Sequence, residues 1–125
     1  MGAALKVTFD TNILIDYLNG LPQARDELAR HDDPAISLIT WMEILVGAAD
    51  AEEEHILRDF LELFEVLPVD RVVAELAIKK RRQYRLRLPD ALIWASAEVH
   101  HSILITRNTR DFPREAIGIH VPYQI

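Results

Sequence analysis

Lys6-Val7-Thr8-Phe9-Asp10-Thr11-Asn12-Ile13-Leu14-Ile15-Asp16-Tyr17-Leu18-Asn19-Gly20 holds two different hydrophobic periods with one acid between them. Lys6 to Asp10 reads as a short buried strand around Val7 and Phe9. Asn12 to Leu18 is apolar on nearly every turn and reads as a helix stopped by Asn19-Gly20. A strand that runs straight into a helix is the first half of a βαβ unit. Asp10 then stands at the carboxyl end of the strand, where open parallel sheets bind their ligands. An aspartate also commonly caps the helix that follows it. Taken alone, residue 10 fits either role.

The alternation continues along the chain. Pro22 opens a helix running to about His31, and Asp32-Asp33-Pro34 is a turn. Ala35 to Ile39 reads as the second strand, and Thr40 begins a helix that ends near Gly47. Asp50 to Glu54 load acids onto a helix N-terminus, and Ile56, Leu57, Phe60, Leu61 and Phe64 follow at helical spacing. Glu65 to Val69 is a third strand, with Pro68 suggesting the edge of the sheet. Asp70 caps a long helix through Val73, Leu76, Ala77 and Tyr84, and Pro89 starts another carrying Ala91 to Val99. Ser102 to Thr106 is a fourth strand and Ile119 to Val121 a weaker fifth. The expected class is α/β: a three-layer α/β/α sandwich with a four- to five-stranded, mainly parallel sheet. Residues 1–125 read as a single domain, with no repeat or linker.

Half of the residues are apolar, so a substantial core is expected. The absence of cysteine excludes disulfides, thiolate metal sites and cysteine nucleophiles, and suits a reducing cytoplasm. No apolar run approaches the roughly eighteen residues that span a bilayer, so no membrane is expected, and the first residues do not resemble a secretory signal. The net charge of -6 argues against a general nucleic-acid binder, but the distribution is uneven. Lys79, Lys80, Arg81, Arg82, Arg85 and Arg87 form a basic stripe on an otherwise acidic chain. That stripe is either a solvated helix face or a phosphate contact. The five histidines have no zinc spacing, and Trp41 and Trp94 fall on apolar helix faces that suit a core.

Four polar positions lie where parallel topology would gather them at one sheet edge: Asp10, Glu43, Asp90 and the Asn108/Asp111 pair. Each has a modest local explanation. Glu43 follows Thr40 at capping-box spacing, Asp90 complements a helix dipole, and Asp111 precedes a proline turn. Together they carry more. Two carboxylates about 4 Å apart repel by about 4 kcal/mol at an effective dielectric near 20. A gathered set implies a bound cation or shared protons, hence metal-dependent phosphate chemistry.

Four ordered blocks then carry a family resemblance. They are Asp10 to Asp16, Ser37 to Ile44 with Glu43, Leu88 to Ile93 with Asp90, and Ile105 to Phe112. They resemble the PIN-domain ribonucleases, and most closely the VapC-type toxins of toxin–antitoxin pairs. Val121-Pro122-Tyr123 resembles the last strand of that family. The resemblance implies an endoribonuclease holding Mg²⁺ or Mn²⁺ with Asp10, Glu43 and Asp90. Asn108 stands where many members carry a fourth acid, so Asn108 or Asp111 completes the site. Thr11, Asn12, Thr106, Arg107 and Arg110 would bind or orient the RNA substrate. A VapB-type antitoxin and a homodimer are implied as partners, with Leu14, Tyr17, Leu18 and Leu21 as candidate apolar surface. Two alternatives stay open. One is a PIN-like module that binds nucleic acid or a partner without cutting. The other is a receiver-like phosphoacceptor, against which the chain lacks an acid pair before the first strand and a lysine near its end.

Overall fold

The computed structural model describes residues 6–125, so the leading segment and the reading of residues 1–125 as one unit extend beyond it. The elements run β1 (Val7–Phe9), α1 (Thr11–Leu18), α2 (Pro22–Ala29), β2 (Ala35–Ser37), α3 (Leu38–Val46) and α4 (Ala51–Leu61). Then come β3 (Glu65–Leu67), α5 (Arg71–Tyr84), α6 (Leu88–Val99), β4 (Ile103–Ile105) and β5 (Ile119–His120). The five strands form one sheet in the order β3-β2-β1-β4-β5, and every pairing is parallel. β3 is an edge strand, as Pro68 suggested.

Alternation along the short strands sorts the core into two faces. Val7, Phe9, Ile36 and Ile105 join Ile13 and Leu14 of α1, Ile44 of α3 and Leu57 and Leu61 of α4. Leu104, on the opposite face, joins Val73 and Ala77 of α5 and Ala91, Trp94 and Ala95 of α6. Helices therefore cover both faces, which makes the expected three layers. Thr8 and Ser37 are buried polar strand residues, and both are satisfied. Thr8 Oγ1 lies 2.7 Å from Ser102 Oγ, and Ser96 Oγ lies 3.1 Å from Ser37 Oγ.

Several boundaries differ from expectation. α3 begins at Leu38, not Thr40, because Ser37 caps it by accepting from the Ile39 amide. Thr40 and Glu43 therefore form no capping box, and both side chains are released for the sheet edge. Strand pairing ends at His120, so Val121–Tyr123 is not the last strand. Leu14 is fully buried in the core and Tyr17 stacks on Phe60 at 5.2 Å, so neither is free apolar surface. Leu18 is exposed. Within the basic stripe Lys80 is buried, 3.6 Å from the centre of the Trp94 ring and 2.8 Å from Glu98. Trp94 is core, as expected. Among the described residues no helix is long and apolar enough to cross a membrane.

One polar knot ties distant parts of the chain. The Asp16 carboxylate on α1 accepts from Arg107 Nε and from Arg107 Nη2, the second at 2.9 Å. It also accepts from the Tyr123 hydroxyl at 2.8 Å. α1, the segment after β4 and the C-terminal tail thus meet at one buried acid. Burial pushes the Asp16 carboxyl up, but the bonds from Arg107 and Tyr123 outweigh it and hold the pKa below its ordinary value. Asp16→Asn keeps the shape and removes the charge. It should cost about 1.5–3 kcal/mol at pH 7, the range for hydrogen bonds to a charged group, read as a lower urea midpoint. A carboxyl with a depressed folded pKa stabilises above its unfolded value and loses that contribution as the pH falls through the folded one. The gap between parent and variant should therefore close below about pH 4. A gap of constant size down to pH 3 would count against the ionic character of the knot.

Candidate active site

The strand order fixes where a site can form. β1 is the central strand, and the chain builds outward from it through β2 and β3 before crossing back to β4 and β5. The switch in direction leaves a crevice beyond the carboxyl ends of β1 and β4, the expected ligand position in such sheets. Asp10 leaves the end of β1, and its amide still bonds Ile105 of β4 at 2.9 Å. Thr106 leaves the end of β4 beside it.

Asp10 is 4% exposed and collects donors from three directions. The Thr106 hydroxyl donates to Oδ2 at 2.7 Å, the Thr11 amide to Oδ1 at 2.8 Å and the Asn12 side-chain amide to Oδ2 at 3.3 Å. The capping and site roles left open for Asp10 are thus combined in one carboxylate. Burial nevertheless pushes its pKa up to about 6, and the negative charges of Asp90 and Glu43 add to the rise. Asp90, in the first turn of α6, is also raised, chiefly by burial. Arg87 opposes that rise from 3.5 Å, while Asp111 and Glu43 reinforce it.

Glu43 reaches the site from the exposed side of α3. Thr11 Oγ1 lies 2.6 Å from Glu43 Oε1 and 2.9 Å from Thr40 Oγ1. A hydroxyl has one proton, so Thr11 donates to the carboxylate and accepts from Thr40. Asn108 and Asp111 close on each other: the Asn108 amide group donates to Asp111 Oδ2 at 2.9 Å, and the Asp111 backbone donates to Asn108 Oδ1 at 3.2 Å. Asn108 thus orients Asp111, whose charge is felt at Asp90 together with that of Glu43. The backbone of Asn108 donates to Thr106 Oγ1 at 3.0 Å, which joins this turn to Asp10.

The structure brings Asp10, Glu43, Asp90, Thr106, Asn108 and Asp111 to one edge of the sheet. Other expected residues take different contacts. Thr11 and Asn12, expected at the substrate, bond their neighbours inside the site. Arg107, expected at a phosphate, is spent on Asp16, so that expectation is corrected. Arg110 is exposed beside Asp111, with Nε 3.6 Å from Oδ1. Sequence reasoning missed the Asp16–Arg107–Tyr123 knot. Asp16 is the acid that ends the first block, one turn beyond Asn12, and that position was its only signal.

Among the described residues no three histidines or acids form a ready-made metal cage. The donor chemistry still suits a hard cation. The acids are all oxygen ligands, and two of them are buried with raised pKa values. Asn12 Oδ1 and Asp90 Oδ2 are buried without a hydrogen-bond donor. Mg²⁺ commonly takes one or two carboxylates, keeps several waters and accepts the rest from substrate phosphate, so it needs no full protein cage.

Comparison with known proteins bears on the family and the fold. The PIN domain model matches residues 7–117. Ribonuclease VapC10 of Mycobacterium tuberculosis is 37% identical over 115 residues, covering 86% of each chain. Ribonuclease VapC1 of Methanocaldococcus jannaschii is 31% identical over 114 residues, covering 87% of this chain and 80% of that one. In structure, a chain of a toxin–antitoxin complex from Klebsiella pneumoniae superposes with a TM-score of 0.90 at 43% identity. That match spans 96% of this chain and all of the other. A sheet edge gathering these acids and a match across nearly the whole chain lead to one assignment: the protein belongs to the PIN-domain family, among its VapC-type members.

Proposed function

We propose that this protein is a divalent-metal-dependent endoribonuclease acting as the toxin of a toxin–antitoxin pair. The observation that carries the reading is the pair of buried carboxylates, Asp10 and Asp90, whose charges oppose each other at the switch point of the sheet. Its relatives' names, ribonuclease VapC10 and ribonuclease VapC1, support RNA as the substrate. The receiver-like alternative falls with the family assignment. The non-cutting alternative would require this arrangement of acids to have no reacting partner. The reading treats residues 1–125 as one nuclease unit, working in the cytoplasm where its substrate is.

In this reading Asp10 and Asp90 hold Mg²⁺ or Mn²⁺, with Glu43 and Asp111 assisting directly or through water. When bound, the ion lowers the pKa of a water and polarises the scissile phosphate. Thr106 and the Thr11 amide hold the Asp10 carboxylate in one orientation. Thr11 keeps Glu43 turned inwards, and Asn108 keeps Asp111 beside Asp90. In-line attack by water on phosphorus breaks the bond to the 3′ oxygen, leaving a 3′-hydroxyl and a 5′-phosphate. Arg110, exposed at the rim, is placed to meet a neighbouring phosphate.

A groove of about 500 Å³ between α1, α3 and α4 is lined by Ile15, Leu18, Ile44 and Ile56. Glu43 stands on its lining as well as in the acid cluster. We assign it to an antitoxin segment, which would cover the acids from that side. The similarity to a chain of a toxin–antitoxin complex supports this partner. A homodimer belongs to the same reading.

Asp10→Asn should lower cleavage of single-stranded RNA with Mn²⁺ by at least about a thousandfold, since the metal supplies both nucleophile and charge stabilisation. Its circular dichroism should match the parent, and EDTA should silence the parent equally. An Asp10→Asn protein that cuts at the parent's rate would remove residue 10 from the mechanism.

The pKa of about 6 also predicts a stability profile. A carboxyl with a raised folded pKa stabilises below its unfolded value and loses that contribution as the pH climbs through the folded one. In metal-free buffer the parent should lose about 3 kcal/mol between pH 4 and pH 7 from this group, at about 1.4 kcal/mol per unit. Asp10→Asn should lack that loss, and added Mn²⁺ should raise the parent's melting temperature but not the variant's. Equal responses of the two proteins to metal would contradict a cation at Asp10.

A further inference from the structure

The ribonuclease reading leaves open which way the RNA strand runs from the acids, and the two flanks of the site answer it differently. On the α4 side, the charged groups lining the apolar groove are Glu43 and Glu53, and α4 itself begins with Asp50, Glu52, Glu53 and Glu54. A polyanion is repelled there. On the other side a second cleft of about 500 Å³ lies between the end of α5 and the β4–β5 connection. Its lining includes Tyr84, Thr109, Arg110, Asp111, Pro113 and Arg114. Asp111 is shared with the acid cluster, so the cleft opens directly from the site. Glu115 also lines it, which leaves two arginines to set against one acid outside the site.

The arginines are available. The Arg110 side chain is 89% exposed, and its 3.6 Å contact with Asp111 is too solvated to hold it. Arg114 is exposed. Arg85 caps α5 in a left-handed conformation, with φ of 57°, and is exposed next to Tyr84. Arg87 is exposed two residues further on, beside Asp90. Tyr84 is half-buried: its ring packs against Trp94 at 4.8 Å, while the remainder borders the cleft. Cations that follow a backbone, with an aromatic ring beside them, are what a single strand needs.

We infer, resting on the ribonuclease reading, that the RNA leaves the acid cluster over this cleft, and that Tyr84, Arg110 and Arg114 form a subsite for one nucleotide next to the scissile phosphate. The arginines take its phosphate and the uncovered part of the Tyr84 ring takes its base. Arg85 and Arg87 extend the track, which gives the exposed end of the basic stripe a role that buried Lys80 does not share.

The test uses a fluorescein-labelled single-stranded RNA oligonucleotide and the cleavage-silent Asp10→Asn protein, with anisotropy read over a range of salt. Adding Arg110→Ala and Arg114→Ala should weaken binding about tenfold. It should also flatten the log–log salt dependence by about 0.7, the contribution of one single-strand phosphate contact. Glu52→Gln, on the opposite flank, should change neither. An unchanged affinity and slope in the double arginine variant would overturn the subsite. Tyr84→Leu should cost several-fold on the ordinary probe and nothing on one made of abasic nucleotides. An equal loss on both probes would mark Tyr84 as structural and remove it from the subsite. If unmodified protein with Mn²⁺ fails to cut the probe while the arginine effect holds, the ribonuclease reading falls and the RNA cleft stands.

Discussion

A buried carboxylate at the end of a central strand is costly, and the arrangement around Asp10 is the response to that cost. Taking an ion out of water costs several kcal/mol unless hydrogen bonds replace the lost solvent. Thr106, the Thr11 amide and Asn12 supply those bonds, from β4 on one side and the first turn of α1 on the other. They do not fully offset burial and the nearby acids, which is why the pKa stays high. The residual instability is the functional feature. A fold that only needed a helix cap would have no reason to bring Asp90 and Glu43 within electrostatic range of it.

The neighbouring groups form a second tier that keeps the first from relaxing. Acids that repel would swing apart if their backbones allowed it. Thr11 holds Glu43, and Asn108 holds Asp111. The turn carrying Asn108 is fixed from behind, because Arg107 is bound to Asp16 together with Tyr123. The knot touches none of the reacting positions. It sets the path of the segment that delivers Thr106 to Asp10, so a loss at Asp16 would be felt as misplacement at the site. Arg107 illustrates how a cation beside an acidic site can serve geometry and leave no charge for substrate.

The alternation of strands and helices was legible because each element carries its own period, and parallel topology followed from that alternation. The acids at strand ends were legible for the same reason. What sequence could not supply were distances across the chain. Thr40 matched a capping box by spacing, yet Ser37 caps α3 because its hydroxyl reaches the Ile39 amide, and this frees Thr40 for Thr11. Leu14 had the same apolar character as Leu18, and only the direction of α1 against the sheet decides that one is core and the other exposed. Lys80 belonged to a run of cations, but its helix position turns it towards Trp94. Asp16 and Tyr123 are far apart in sequence, and nothing local marks either as half of a contact.

An acidic protein that handles RNA needs a local cationic rim beside its acids, and the two flanks of this site differ in that respect. The acids of α4 crowd the flank built from α1, α3 and α4. Exposed Arg85 and Arg87 lie where α5 meets α6, and exposed Arg110 and Arg114 along the connection between β4 and β5. At physiological salt, charges farther apart than about 8 Å are largely screened. Substrate therefore meets the local rim rather than the net charge of -6. On the proposed reading one flank is left to an apolar partner and the other to a polyanion, with Glu43 and Asp111 at the two boundaries. A partner seated on the α4 side would then act on the acids through Glu43 while the arginine cleft stayed open. Inhibition and RNA binding would be separable properties of one sheet edge.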